Sequence, residues 1–571
     1  MSSSIAASAA LVATASKNCE QTNIDRLERV LLNYYPEWEL TKEGRRHHGY
    51  GQFALLRATP MDRLSGVGRR RRLELERKFR GTNEPEDEEE ANREEPSFQI
   101  GFVGPPIPGS AAEKMTDEQW LRAFEEYSPG PKDLMSGGPR QLANLFAAEL
   151  AKEPLRYASL ALQISDELDP VYLEVALQAI ATHAAKLPSD LIWDICRKAV
   201  ARSDDPEMLR AALRAIEATA GDQVPEDILD IVLAFTGHSD PDREPWRQKW
   251  NGQPIDGGDP LMSGMGSVRG TAANAIAVLL AANHARLDRF DSAIRGLTLD
   301  PSPSVRAVAA HIVLVLHDID SALAVQLFER LTAGEDAVLS TYYSIRLMHV
   351  ALNEALNPLD PIIRRALASE VTAVRTVGGQ LAGFAAVIHP EGLALAQLAL
   401  DGDQATREGL AGVLAANVSA VMKPELKQSL LRLFNDDDEA VQDAAASAFW
   451  TLRSSSLVGL EDVIFGFIES RSFQKNAGKL VHALSESPAA APAVVLALSR
   501  KFIDALGDRV GDIRYAESID AETLSSLLIQ NYAESPSETE QSTILDLIDE
   551  MLRLNAYRME ETLREFERRP A

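Results

Sequence analysis

The chain has 571 residues, a net charge of −27, 45% hydrophobic and 25% charged residues, and only two cysteines, Cys19 and Cys196. The length exceeds what one hydrophobic core can organise, so several domains or a repeating array are expected. The acid excess argues against general nucleic-acid binding, which needs clustered Lys and Arg to release counterions; two cysteines exclude a disulfide framework or a zinc knuckle and point to a reducing cytoplasm.

The N-terminus, MSSSIAASAALVATASKN, is apolar but lacks a basic segment ahead of its apolar stretch, so it reads as a helix cut at its start rather than a secretory signal. No apolar run reaches the ~18 residues that cross a bilayer. Ile24, Leu27, Val30 and Leu31 recur at helical spacing, and Pro36 closes that helix. A short apolar segment and a strongly basic helix follow, completing an N-terminal helical region over 1–82. Residues 83–97 are acidic, lack apolar side chains and form an expected linker. Thr116, with Glu118 and Gln119 in the next turn, starts a helix containing Trp120, Leu121 and Phe124. Residues 98–260 are expected to be helical, with a long inserted loop, 237–266, at their end; 261–571 continue as one helix after another.

Repeats set the fold class. An acidic or small turn, an apolar residue followed by Arg, and then an Ala-rich apolar face recur at Arg210, Arg269, Arg306, Arg375 and Arg407, with degenerate copies at Ser340 and Gln442. From 269 onward successive marks are 37, 34, 35, 32 and 35 residues apart; the 59 residues between Arg210 and Arg269 contain the insertion. Two helices and their turns fill a period of ~35–40 residues, so the expected fold is all-α, a HEAT-like α-solenoid of helix pairs with a smaller N-terminal helical region. The Asp or Ser before each second helix is expected to cap it. Each Arg is expected to reach an acidic turn of the adjacent repeat, with phosphate binding as the competing role.

No catalytic or cofactor motif emerges. GxxxxGK[ST], HExxH, GxSxG and CxxC are all absent, and the glycine cluster at 263–270 lacks a following Lys and leads into a repeat helix. His47 and His48 are adjacent without a third ligand, His317-Asp318 is a lone pair, and Asp436–Glu439 reads as a helix-start turn. The expectation is a non-enzyme with no cofactor and no metal; an unrecognised hydrolytic site built from scattered His and Asp is the competing reading.

Two features fit binding. The basic segment Arg69, Arg70, Arg71, Arg72, Arg77, Lys78 and Arg80 could touch nucleic acid or an acidic partner, or pair with the acidic run that follows it. The insertion carries Trp246 and Trp250 among Gly, Pro and charged residues; tryptophans there either anchor a partner or tuck back onto the solenoid.

DRLERVLLNYYPEWE, GRRHHGYGQFALLRA, RRRLELERKF, GFVGPPIPGSAAEKMTDEQWLRAFEEY and GSVRGTAANAIAVLL together resemble the helical region that follows the ATPase module of bacterial antiviral STAND NTPases, the Avs-like or NACHT-like defence proteins. The resemblance covers roughly residues 20–280; beyond it only repeat character is shared. It implies a cytoplasmic sensor-like part that recognises a viral protein or a companion ATPase or effector subunit. Neither a nucleotide site nor an effector is present, so it carries over no catalytic residue. A split-gene subunit, a truncated product and a free-standing relative all fit. A nucleic-acid-associated accessory subunit is the alternative.

Overall fold

The computed structural model describes residues 5–36, 39, 48–79, 104–128, 137–241, 243–418, 423–452, 457, 459–486, 492–507 and 509–567. Two compact units divide the chain, Met1–Val103 and Gly104–Ala571. The expected acidic linker, 83–97, lies outside the described residues, as do His47 and Arg80.

In the first unit the helices Ile5–Asn18, Gln21–Leu31, Tyr50–Ala58 and Gly66–Lys78 surround a small core of Val12, Leu31, Leu55, Leu56, Leu64, Leu75 and Phe79. Buried carboxylates organise two of its helix starts. Glu28 accepts from Ser65 N–H at 2.7 Å and Gly68 N–H at 3.1 Å, and Glu39 accepts from Gly49 and Gly51 N–H at 2.5 Å each. Both satisfy backbone donors that a helix leaves without partners in its first turn. Periodicity misplaced one residue: Ile24 and Leu31 are buried, but Val30 is 64% exposed. The inward place between them belongs to Glu28, which the apolar pattern passes over because it faces donors rather than the core.

The second unit is an all-α, HEAT-like solenoid of helix pairs with one continuous apolar core. Alternate helices stack on one another. One layer runs through Pro139–Lys152, Val171–His183, Pro206–Glu217, Val268–Ala282, Pro303–His317, Tyr342–Glu354, Thr372–Ile388 and Gln404–Ala416, each touching the next. Helices such as Pro154–Ala161, Ser189–Arg202, Asp360–Leu367 and Leu393–Leu400 build the opposing layer. Stacking continues from Pro206–Glu217 to Val268–Ala282 across the insertion, so the pairs on either side share a core.

The expected start signals operate. Thr116 and Gln119 form a reciprocal capping box ahead of Asp117–Tyr127, which buries Trp120 and Phe124. Asp205, Ser267, Ser302, Asp403 and Asp438 each accept an N–H from the first turn of the repeat helix that follows.

Candidate functional site

The repeated arginines are structural. Arg269 donates to both oxygens of Asp300 at 2.9 and 3.1 Å, Arg407 to both of Asp436 at 2.7 and 3.1 Å, and Arg375 to Asp403 at 2.8 Å. Each bond reaches the turn before the next helix of the layer, a ladder between neighbouring repeats. Arg306 donates instead to the Ala333 carbonyl at 2.8 Å and Arg210 to the Gly266 carbonyl. In the degenerate copies Ser340 Oγ donates to Ala337 O, and Gln442 donates to the Asp436 carbonyl at 2.6 Å. Burial would raise the Asp436 carboxyl, but Arg407 and a backbone N–H outweigh it and hold it below the usual carboxylate range.

The 237–266 insertion is built rather than slack. Its first part is tied to the repeat that follows: Asp240 accepts from Val268 N–H at 2.6 Å, and Arg269 donates to the His238 carbonyl at 2.7 Å. Glu244 then accepts from Ser302 Oγ and Ser304 Oγ at 2.5 Å each, and from Trp246 Nε1. Arg247 lies over the Trp246 ring, 4.8 Å from its centroid, and pairs with Glu335. Past that anchor the chain makes a two-stranded hairpin, Lys249–Trp250 against Gln253–Pro254. Asn251 (φ 49°) and Gly252 (φ 80°) hold its turn. A two-residue hairpin turn that matches strand twist needs positive φ at both positions, which Asn-Gly tolerates best. Asp259 then caps the short helix Pro260–Met265, whose Gly264 lies against the Ser304 carbonyl so closely that a Cβ there would sit 2.2 Å from it. Gly264 and Gly270 of the 263–270 cluster therefore serve close packing, a Cβ on Gly270 falling 2.0 Å from the Gly264 carbonyl.

The two tryptophans part company here. Trp246 is half-buried, hydrogen-bonded and stacked, as a residue tucked onto the solenoid would be. Trp250 is 75% exposed, more than any other large apolar side chain among the described residues. The Asn251-Gly252 pair beside it was the sequence signal for this geometry. Nothing local marked Glu244 as an anchor, because Ser302 and Ser304 lie 58 and 60 residues away.

The basic segment also divides. Arg71 donates to Gln52 Oε1 and pairs with Glu74; Arg72 pairs with Glu76 and donates to the Thr59 carbonyl at 2.7 Å; Lys78 donates to the His48 carbonyl at 2.6 Å. Arg69, Arg70 and Arg77 are exposed on the Gly66–Lys78 helix, where Arg70 donates to the Gly66 carbonyl.

Among the described residues no three His, Cys, Asp or Glu side chains converge as metal ligands. His48 stacks on Tyr35, His317 is buried with Nε2 3.6 Å from Glu354, and Asp437 and Glu439 pair with Arg471 and Lys475. Cys196 is buried, which pushes its thiol up to about 12 and leaves it no thiolate at neutral pH. Among the described residues no helix is long and apolar enough to cross a membrane.

No family model and no curated protein matches the chain. Among solved structures it is similar to an engineered protein at 14% identity (TM-score 0.28, covering 78% of this chain and 99% of that one). It is similar to a chain of the Pds5–Scc1 complex at 15% (TM-score 0.23, 76% and 68%). It is also similar to a chain of the karyopherin Kap121p bound to the extreme C-terminus of the protein phosphatase Cdc14p at 10% (TM-score 0.25, 99% and 75%). Superpositions this loose say nothing about the site, and the repeat architecture rests on the stacked helix pairs themselves.

Proposed function

We propose that this chain is a non-catalytic recognition or scaffold protein that binds a protein partner through its helical-repeat unit, with the hairpin around Trp250 as an anchor. One observation carries the reading: a tryptophan is held three-quarters exposed at the tip of a hairpin whose base is fastened to neighbouring repeats. A solvated indole costs hydrophobic free energy, and a loop with this many fixed contacts has little conformational entropy left to lose on binding. Tryptophans presented in this way are typical hot spots, worth ~2 kcal/mol or more when a partner pocket closes on them.

The finer reading is a sensor-like part of a bacterial antiviral STAND NTPase, working in the cytoplasm on a viral protein or a companion ATPase or effector subunit. It is supported by the resemblance over roughly residues 20–280 and by the array of repeats that extends beyond it.

Trp250→Ala tests the anchor. Capture from infected and uninfected host cells should lose a stoichiometric partner at least ~10-fold relative to the unaltered protein. Helical content and Tm should stay unchanged, because an exposed side chain contributes little to folding. Trp246→Ala, by contrast, removes a stacked and hydrogen-bonded side chain and should loosen the insertion itself. Equal recovery of every partner by the Trp250 variant would sink the anchor.

A further inference from the structure

Charge is not spread evenly along the chain. Residues 1–82 hold 15 Lys and Arg against 9 Asp and Glu, whereas residues 83–571 hold 43 against 76. The acid excess that weighs against phosphate binding therefore belongs to the remainder of the chain, and the N-terminal helices carry the opposite sign. Their densest concentration of charge is the helix Gly66–Lys78. At 3.6 residues per turn, positions 66, 69, 70, 73 and 77 fall along one side of it, opposite the buried Gly68 and Leu75. Arg69, Arg70, Leu73 and Arg77 are all exposed on that side. Glu74 and Glu76 flank the stripe, but Arg71 and Arg72 hold them at 2.9 Å each. Among the described residues no ion pair involves Arg69, Arg70 or Arg77. Like charges this close on a helix cost stability until a counter-charge meets them.

We propose that this stripe is a nucleic-acid contact, in which Arg69, Arg70 and Arg77 neutralise backbone phosphates without reading bases. Arg70 and Arg77 stand two helical turns apart, a rise of about 10 Å, and one strand of a duplex places a phosphate about every 3.4 Å along its axis, so the stripe spans about three phosphates. Its cations are all arginines, whose planar fork grips two phosphate oxygens at once. The small apolar content of the stripe decides against other polyanions. A helix lying on an anionic membrane needs a broad apolar face to bury, and here Leu73 is the one apolar side chain among the arginines. An acidic protein segment would need an apolar core to dry its ion pairs, because solvated pairs contribute little. Phosphate binding is free of that requirement, since release of counterions condensed on the strand drives it from a wet, polar surface.

The contact uses no residue of the hairpin and stands or falls apart from the protein-partner reading. Its test is titration of the full chain into a short labelled DNA duplex and a labelled single strand of mixed sequence, followed by anisotropy between about 50 and 200 mM salt. The unaltered chain should bind, and log affinity should fall against log salt with a slope of about −2.7 on the duplex or about −2 on the single strand; the tighter of the two is the form it takes. Arg69→Gln, Arg70→Gln and Arg77→Gln together should weaken binding at least ~10-fold at the lower salt and flatten the slope. Arg69→Lys, Arg70→Lys and Arg77→Lys, which keep the charge, should retain it. Helical content should not change in either variant, because the stripe is exposed. Equal loss of charge by Arg295→Gln, Arg364→Gln and Arg564→Gln, arginines paired within their own helices in the second unit, should leave binding as it was. No binding by the full chain, which carries the acidic run 83–97 as an internal competitor, overturns the proposal. So does equal binding by the triple Gln variant, or tighter binding at matched charge to a glutamate-rich peptide or to phosphatidylserine vesicles. In each of those cases partner capture by Trp250→Ala still decides the proposed function on its own readout.

Discussion

A carboxyl that loses water on folding without gaining a cation keeps its proton to higher pH, and Glu217 is such a group. Its native proton affinity lies above the unfolded one, so the native state binds more protons between the ordinary glutamate value of 4.5 and about 7. Stability from this residue is therefore present at low pH and lost as pH rises through that window. At about 1.4 kcal/mol for each pH unit of that window, ionising it in the native state costs about 3 kcal/mol. Glu217→Gln, which mimics the protonated form, should raise stability at pH 8 by up to that amount and leave it nearly unchanged at pH 5. Urea denaturation at the two pH values measures this; a variant less stable at pH 8 would mean that Glu217 is paired rather than stranded. His311 works the opposite way: burial lowers it, so its contribution is complete above 6.5 and lost as pH falls towards about 4.

Between elements, glycines set how closely helices approach. A Cβ on Gly379 would sit 2.1 Å from the Thr406 carbonyl, and one on Gly409 would sit 2.1 Å from the Thr376 carbonyl, so Thr372–Ile388 and Gln404–Ala416 meet backbone to backbone through a reciprocal pair. Gly412, on the same second helix, faces open space. Gly379→Ala should destabilise the unit, because overpacking of about 1–3 kcal/mol outweighs the ~1 kcal/mol of helix propensity gained. Gly412→Ala should stabilise it by up to about 1 kcal/mol. Thermal melts of the two variants check the pair, and equal shifts would contradict the crossing.

What the sequence showed at this scale was whatever depends on short spacings. Caps at Ser302 and Asp403 and the arginines that reach Asp300 and Asp436 repeat with the helices, so their roles follow from the period. The exposed Trp250 was legible as a candidate, and Asn251-Gly252 marks its turn. Trp246 was not separable from it, because the anchor Glu244 finds Ser302 and Ser304 only after the repeats stack. The Asn274–His311–Tyr343 contacts were hidden for the same reason: Asn274 and His311 are 37 residues apart and meet only across the layer. Arg71 and Arg72 read as binding a partner or pairing with the acidic run that follows; the fold gives them Gln52, Thr59, Glu74 and Glu76, which spacing did not single out.

At the scale of the molecule, the second unit is a stack in which each helix pair touches mainly its neighbours, and one insertion breaks the period. Arrays of this kind present long surfaces made of small contributions from many repeats, so specificity concentrates where the pattern is interrupted. The hairpin is that interruption, fastened at Asp240, Glu244 and Arg247 and bare at Trp250. The most direct test is hydrogen–deuterium exchange of the full chain with and without its captured partner. Docking through the hairpin predicts new protection over 248–255 when the partner is bound, absent in Trp250→Ala. Protection confined to other helices, with 248–255 exchanging as in the free protein, would contradict it.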